Sequence, residues 1–153
     1  VLFSNSMLKS LFFGDVGGCI GETSVLFLLI GALILLVTGV ITWHTPVSYI
    51  LSFSTVIFSF YFFTDSPEPV RAVLFHLLSG GLIIGAFFMA TDMVTSPVSK
   101  KGMLIFGAGC GLIAASIRLF GGYPEGVSYS ILFMNTLVPF IDRYTKNKVY
   151  GRR

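Results

Sequence analysis

The chain has 153 residues, of which 54% are hydrophobic, 15% aromatic and only 11% charged, with a mean hydropathy of +0.88. A soluble surface draws on roughly a quarter charged residues, so a water-soluble domain is excluded as the working class and a membrane protein is expected. The formal charge of +3 does not imply nucleic acid, because the basic residues gather at the ends of apolar runs and in the tail, and no nucleic-acid partner is expected.

In chain order, the sequence opens on Val1 without an initiator Met, a positive leader or a small-residue cleavage site, so it reads as a piece of a longer chain rather than a signal-peptide start. Next comes "GGCIGETSVLF", where glycines permit a tight turn and Glu22, Thr23 and Ser24 open the first apolar run. A helix start leaves unpaired N–H groups and a partial positive charge. Such an end suits a capping carboxylate, and equally a bound phosphate. Both readings stand at this point.

From Thr23 to Thr64, 42 residues pass without Asp, Glu, Lys or Arg. Roughly 18 apolar residues already fit a bilayer span. Five spans are predicted, at 24–42, 47–64, 70–91, 103–120 and 126–142. They are solid runs of Leu, Ile, Phe and Gly without alternation, which favours helices over barrel strands. The links "WHTP", "DSPEPVR", "TSPVSKKG" and "FGGYPEG" each contain proline, which removes a backbone donor and biases the preceding residue away from helix. In the last of them, Pro124 and Glu125 suit a helix's first turn.

The seven acids, Asp15, Glu22, Asp65, Glu68, Asp92, Glu125 and Asp142, all fall at span ends, which argues against a carboxylate proton wire at mid-membrane. Asp92 and Asp142 each follow an apolar helix, where the terminal carbonyls oppose an added anion by about 0.3–1 kcal/mol. Two readings compensate. Asp92 caps a turn through Thr95 and Ser96 while Asp142 pairs with Arg143 or Lys146, or the carboxylates and carbonyls form an oxygen site for Na⁺ or a hydrated proton. Asn135, inside the fifth span, is expected to hydrogen-bond to another helix, and the glycines of "SGGLIIG" and "GAGCG" to permit close helix packing. His44 and His76 read as interfacial polar residues. Cys19 and Cys110 lack metal or disulfide spacing.

Five spans put the two ends on opposite sides. With the C-terminus in the cytoplasm, Lys100, Lys101, Arg143, Lys146, Lys148, Arg152 and Arg153 face inward, against Lys9, Arg71 and Arg118 outside. The basic tail then anchors topology and touches anionic lipid.

The segments "GGCIGETSVLFLLIGA", "HLLSGGLIIGAFFMATDMVTSPVSKKG", "IRLFGGYPEGVSYSILFMNTLVPFIDRYTK" and "VYG" resemble the C-terminal half of the RnfD proteins of Rnf complexes, called Rsx in some bacteria. These are relatives of the NqrB proteins of the Na⁺-translocating NADH:quinone oxidoreductase. The resemblance implies a component of a bacterial inner-membrane redox pump that passes electrons between ferredoxin and NAD⁺ and moves Na⁺ or H⁺, with the other Rnf-type subunits as partners. It also implies FMN, esterified through its phosphate to a threonine of an S-G-A-T type motif on the outer face. That motif is absent here: Ser79-Gly80-Gly81-Leu82 has no threonine, so attachment is expected upstream of Val1. Riboflavin is a further cofactor that the resemblance allows.

By the same resemblance, Gly21, Glu22, Thr23 and Ser24 become a wall of the flavin site, while Asp92 and Asp142 match acidic positions of the family and join a cation pathway. The resulting expectation is an all-α polytopic membrane protein, residues 1–153 forming one module of five transmembrane helices, half of a roughly ten-helix subunit. No side chain is expected to act as nucleophile or general base, the chemistry being the cofactor's. The rival readings are a solute channel or transporter module, which glycine-rich helices with polar termini also suit, and a structural subunit without cofactor contact.

Overall fold

A computed structural model describes residues 5–15, 17, 24–64, 68–79, 81–121 and 126–145. The expectations placed on Cys19, Gly21, Glu22, Thr23, Asp65, Glu125 and the basic tail from Lys146 onward lie outside these residues. All regular structure among the described residues is helical: α1 (Asn5–Phe13), α2 (Val25–Val37), α3 (His44–Phe63), α4 (Pro69–Leu78), α5 (Leu82–Ile84), α6 (Lys100–Phe120) and α7 (Gly126–Thr145). A π-helical segment, Gly85–Met89, continues directly from α5.

Helices α3 and α6 are each long and apolar enough to cross a bilayer, and the pair Pro69–Leu78 and Leu82–Met89 qualifies if taken as one bent span. The chain is therefore an all-α, multi-pass membrane protein. Its outward surface agrees, since Phe27, Leu33, Val37, Phe63, Leu132 and Phe133 are all more than half exposed. Apolar surface on that scale is stable only against lipid or another protein.

Both long helices begin three residues before the apolar run does. Pro46 sits in the first turn of α3, where its missing N–H costs nothing. Ser99 caps α6 by accepting from the Gly102 N–H at 2.9 Å.

The first and third apolar runs differ from expectation. The helix in 24–42 ends at Val37, because Gly39 turns left-handed (φ 72°), a conformation open to glycine at no steric cost. The Thr38 hydroxyl closes this end on the Ile34 carbonyl at 2.8 Å. The run 70–91 is bent by 68° between Leu78 and Leu82, and Gly81, with φ 65°, carries the left-handed turn. Past the bend, the Ala90 N–H reaches five residues back to Gly85 O at 2.8 Å, closing the π turn.

The core lies on the seam of α3 and α6. Tyr49, Phe53 and Ile57 meet Phe106, Cys110, Ala114 and Ala115, all essentially inaccessible. Gly107 and Gly111 make this seam close. A Cβ on Gly107 would stand 2.5 Å from the Thr45 carbonyl and 3.2 Å from the Tyr49 amide, while one on Gly111 would meet Ser52 Oγ, the Tyr49 carbonyl and the Phe53 amide. Successive glycines of α6 thus meet successive turns of α3, so the two helices run in the same direction. The bent segment between them must return the chain across the bundle. Helix α7 then runs back along α6, with Gly126 beside Ile117 and Thr145 beside Ser99.

Candidate functional site

One end of the bundle gathers the start of α3, the connection from Ala90 to Ser99 and the last turn of α7. Local chemistry shapes this connection. The Asp92 carboxylate accepts from the Thr95 hydroxyl at 3.2 Å and from the Val94 N–H at 3.5 Å, while the Ser96 N–H donates to the Asp92 carbonyl at 3.1 Å. Asp92 and Thr95 thus form the expected cap, and Ser96 joins through its backbone rather than its hydroxyl.

Asp142 reaches the same connection from α7. Its Oδ1 accepts from the Val98 N–H at 3.2 Å. The structure thereby brings both acids onto one segment. Each is bonded to neutral donors, and among the described residues the only ion pair is Arg71–Glu68 at 2.9 Å, on the surface. Arg143 makes no ion pair with Asp142 there. That exposed Arg–Glu pair contributes little.

A hydrogen-bonded relay closes this end. Gly102 N–H donates to Ser99 Oγ at 2.9 Å, Ser99 Oγ to Thr145 Oγ1 at 2.7 Å, and Thr145 Oγ1 to the Ile141 carbonyl at 2.7 Å. Every hydroxyl in it both donates and accepts, so the links polarise one another. Pro97, fully buried, packs beneath.

Further along the bundle lies a second polar group. Arg118 Nη1 donates to the His76 carbonyl, and its guanidinium carbon stands 5.3 Å from the centre of the Phe53 ring. His76 belongs to the last turn of α4, where carbonyls lack intrahelical partners, so Arg118 caps the half-helix just before the bend. His76 Nε2 and Tyr61 Oη are hydrogen-bonded at 3.2 Å. Residue counting places Arg118 on the side of the membrane opposite Lys100 and Lys101, and within the fold it is half-buried at the far end of α6, turned into the bundle. Its spacing of seven, four and three residues from Gly111, Ala114 and Ala115 was the available signal, because those residues share one helix face.

Of the expected flavin-site wall, Ser24 is described. It stands just before α2, and its buried hydroxyl has no hydrogen-bond partner among the described residues. An orphaned buried oxygen at a helix start fits a phosphate or hydroxyl-bearing group placed there. The Asn135 Oδ1 is likewise buried and unpartnered among the described residues, so the expected interhelical bond is not made within them. Cys110 is a free, buried thiol. No cluster of His, Cys, Asp and Glu able to hold a metal occurs among the described residues.

The family model described as NQR2, RnfD, RnfE family matches residues 2–151. Over 136 residues the chain is 51% identical to the RnfD-type protein of the Na⁺-translocating ferredoxin:NAD⁺ oxidoreductase complex of Acetobacterium woodii, covering 89% of this chain and 40% of that protein. It is 45% identical over 152 residues to the corresponding protein of the proton-translocating ferredoxin:NAD⁺ oxidoreductase complex of Clostridium ljungdahlii, covering 97% and 44%. To its counterpart in the ion-translocating oxidoreductase complex of Stutzerimonas stutzeri it is 43% identical over 152 residues, covering 99% and 42%. The chain therefore spans about two fifths of the length of these curated relatives.

Proposed function

The chain belongs to the NQR2, RnfD, RnfE family, and from that premise we propose that it works as a membrane module of a redox-driven ion pump of the ferredoxin:NAD⁺ oxidoreductase type, supporting flavin-mediated electron transfer coupled to Na⁺ or H⁺ movement. The observation that carries this reading is the convergence of Asp92 and Asp142 on the segment Asp92–Val98, each held by neutral donors. A carboxylate held only by amides and hydroxyls has no counter-charge of its own and stays available to a passing cation, whereas a salt-bridged one is already neutralised. The relatives' names include both a Na⁺- and a proton-translocating complex, so both ions remain within the proposal.

The module has five transmembrane helices in this reading: α2, α3, the bent pair, α6 and α7. The length of α7 along α6 supports it, as does the return of the chain between two parallel helices. Helix α2, at 13 residues, spans about 20 Å at 1.5 Å per residue, and local thinning or flanking residues make up the difference. Residues 1–153 form the C-terminal half of a roughly ten-helix subunit in the bacterial inner membrane, with the Asp92 end and the C-terminus cytoplasmic by the excess of Lys and Arg. Its partners are the other subunits of an Rnf-type complex.

When bound, FMN supplies one- and two-electron transfer. In this reading Gly21, Glu22, Thr23 and Ser24 contribute one wall of its site, where Ser24, just before α2, offers the orphaned hydroxyl. Attachment through phosphate belongs to a threonine outside this chain, and riboflavin is a second flavin compatible with the same complex.

Redox-driven cation uptake into inverted vesicles carrying the intact complex tests the reading. Asp142→Asn keeps an acceptor for Val98 and removes the charge, as Asp92→Asn does for Thr95. Uptake is expected to fall about tenfold or more in each, the factor carried by about 1.4 kcal/mol of ion binding. Unchanged uptake in both removes these carboxylates from the pathway. In-gel fluorescence of the full-length subunit after denaturation tests the flavin separately, and a colourless subunit that conducts solute favours the channel.

A further inference from the structure

At the end of the bundle that carries Asp92, large apolar side chains stand open. Met93, Val94 and Val98 are 75%, 87% and 85% exposed, and Tyr144, in the last turn of α7, is 88% exposed. Beside them lie three exposed cations, Lys100 and Lys101 at the start of α6 and Arg143 on α7. The bonds from Val98 to Asp142 and from Ser99 to Thr145 tie the connection to the last turn of α7, so these residues belong to one surface.

The charge of this surface is not balanced from within. Lys100 and Lys101 occupy the first turn of α6, which holds no acid, and the backbone dipole there disfavours cations. Among the described residues none of the three cations is in an ion pair, and the carboxylates of Asp92 and Asp142 accept from hydroxyl and amide donors. Three cations thus stand against two carboxylates. The sequence adds Lys146, Lys148, Arg152 and Arg153 directly beyond α7, so the charge that complements this end is negative.

Depth decides what carries that charge. Helix α6 has 21 residues, about 31 Å at 1.5 Å per residue, which matches a hydrocarbon core of about 30 Å. Its first residue therefore stands where the acyl chains end, and the segment from Met93 to Val98 lies in the headgroup layer. At that level apolar side chains dip toward the acyl boundary, while lysine stems lie along apolar surface and their ammonium groups reach phosphate. Tyr144 has the apolar body and polar tip of an interfacial ring. A water-soluble partner would first have to displace the headgroups from this layer.

We propose that this surface docks on the headgroups of anionic phospholipids, with Met93, Val94 and Val98 set into the interface and Lys100 and Lys101 on the phosphates. The contact does not rest on the pump reading. It gives the lipid a hold on the segment that presents Asp92.

Hydrogen exchange of the intact complex in lipid nanodiscs tests this, because the Val94 and Val98 N–H groups bond only to side-chain carboxylates and report on what covers them. Exchange over residues 93–99 is expected to be about fivefold slower or more in discs of phosphatidylglycerol mixed with phosphatidylcholine than in phosphatidylcholine alone, the factor of one charge near an anionic surface. Lys100→Gln combined with Lys101→Gln keeps the stems and removes the charge, and is expected to bring the two lipids within about twofold of each other. High salt is expected to do the same to the unaltered complex. Val94→Ser combined with Val98→Ser is expected to speed exchange in the mixed discs about threefold or more, through loss of the apolar insertion. Equal exchange of the unaltered complex in the two lipids overturns the proposal, as does lipid-dependent protection that survives the paired glutamines, or exchange that the paired serines leave unchanged. Protection equal in both lipids and lost when the water-soluble subunits are stripped away assigns the surface to a protein partner and overturns it as well.

Discussion

Replacing Gly111 by alanine is expected to destabilise the subunit by about 3 kcal/mol or more, the upper end of overpacking costs. A Cβ there meets the Tyr49 carbonyl and stands 2.9 Å from the Phe53 amide. Both are backbone groups of α3, fixed by that helix's own hydrogen bonds, so they cannot step aside one at a time. The whole helix must retreat, opening the layer formed by Tyr49, Phe53 and Cys110. The gain in helix propensity from Gly to Ala, about 1 kcal/mol, is too small to compensate. Gly109 supplies the control. The nearest atoms to a Cβ there belong to the Met134 side chain, which has three rotatable bonds to absorb it, so Gly109→Ala is expected to cost less than about 1 kcal/mol. Thermal unfolding in detergent should lower the midpoint strongly for Gly111→Ala and barely for Gly109→Ala. Equal midpoints would show that the α3–α6 seam is not backbone-tight.

Arg118→Met carries the second large effect. The change keeps an unbranched apolar stem and removes both the donor to the His76 carbonyl and the charge over Phe53. A carbonyl left unsatisfied costs about 1–3 kcal/mol, and the ring contact adds about 0.5–1 kcal/mol. Relief of the desolvated guanidinium returns part of this, so a net loss of about 1–2 kcal/mol is expected. The loss should be local. Amide exchange over residues 75–79, where the Ser79 N–H bonds to the Phe75 carbonyl at 3.0 Å, is expected to speed up, while the start of α6 stays protected. Arg118→Lys retains charge without the planar fork and should fall between the two. Exchange that remains slow at the end of α4 in Arg118→Met would show that the cap is dispensable.

These residues also mark how far the sequence alone reaches. The spans of α3 and α6 were legible to within three residues, because hydropathy and capping residues act locally. The break near Gly81 and the early end of α2 at Val37 were not. Hydropathy reports which solvent a residue prefers, and an apolar run stays apolar whether its backbone continues or turns. The glycines there read as packing residues, which Gly107 and Gly111 are and Gly39 and Gly81 are not, and only the sign of φ separates the two uses. At the candidate site, the Asp92 turn was legible because its partners lie within four residues. The bond from Val98 to Asp142 crosses 44 residues of sequence and has no local signature. The count of charges per side said nothing of Arg118's partner, because such a count ignores the face of the helix on which a charge lies.

The relay through Ser99 and Thr145 bears on how the polypeptide enters its membrane. Helix α7 carries Asn135, Pro139 and Asp142, a composition that partitions poorly from the translocon as a lone segment. Clasped to the base of α6, it is held against a partner that is strongly lipid-loving. The two hydroxyls thus buckle the less apolar helix to the strongly apolar one made just before it.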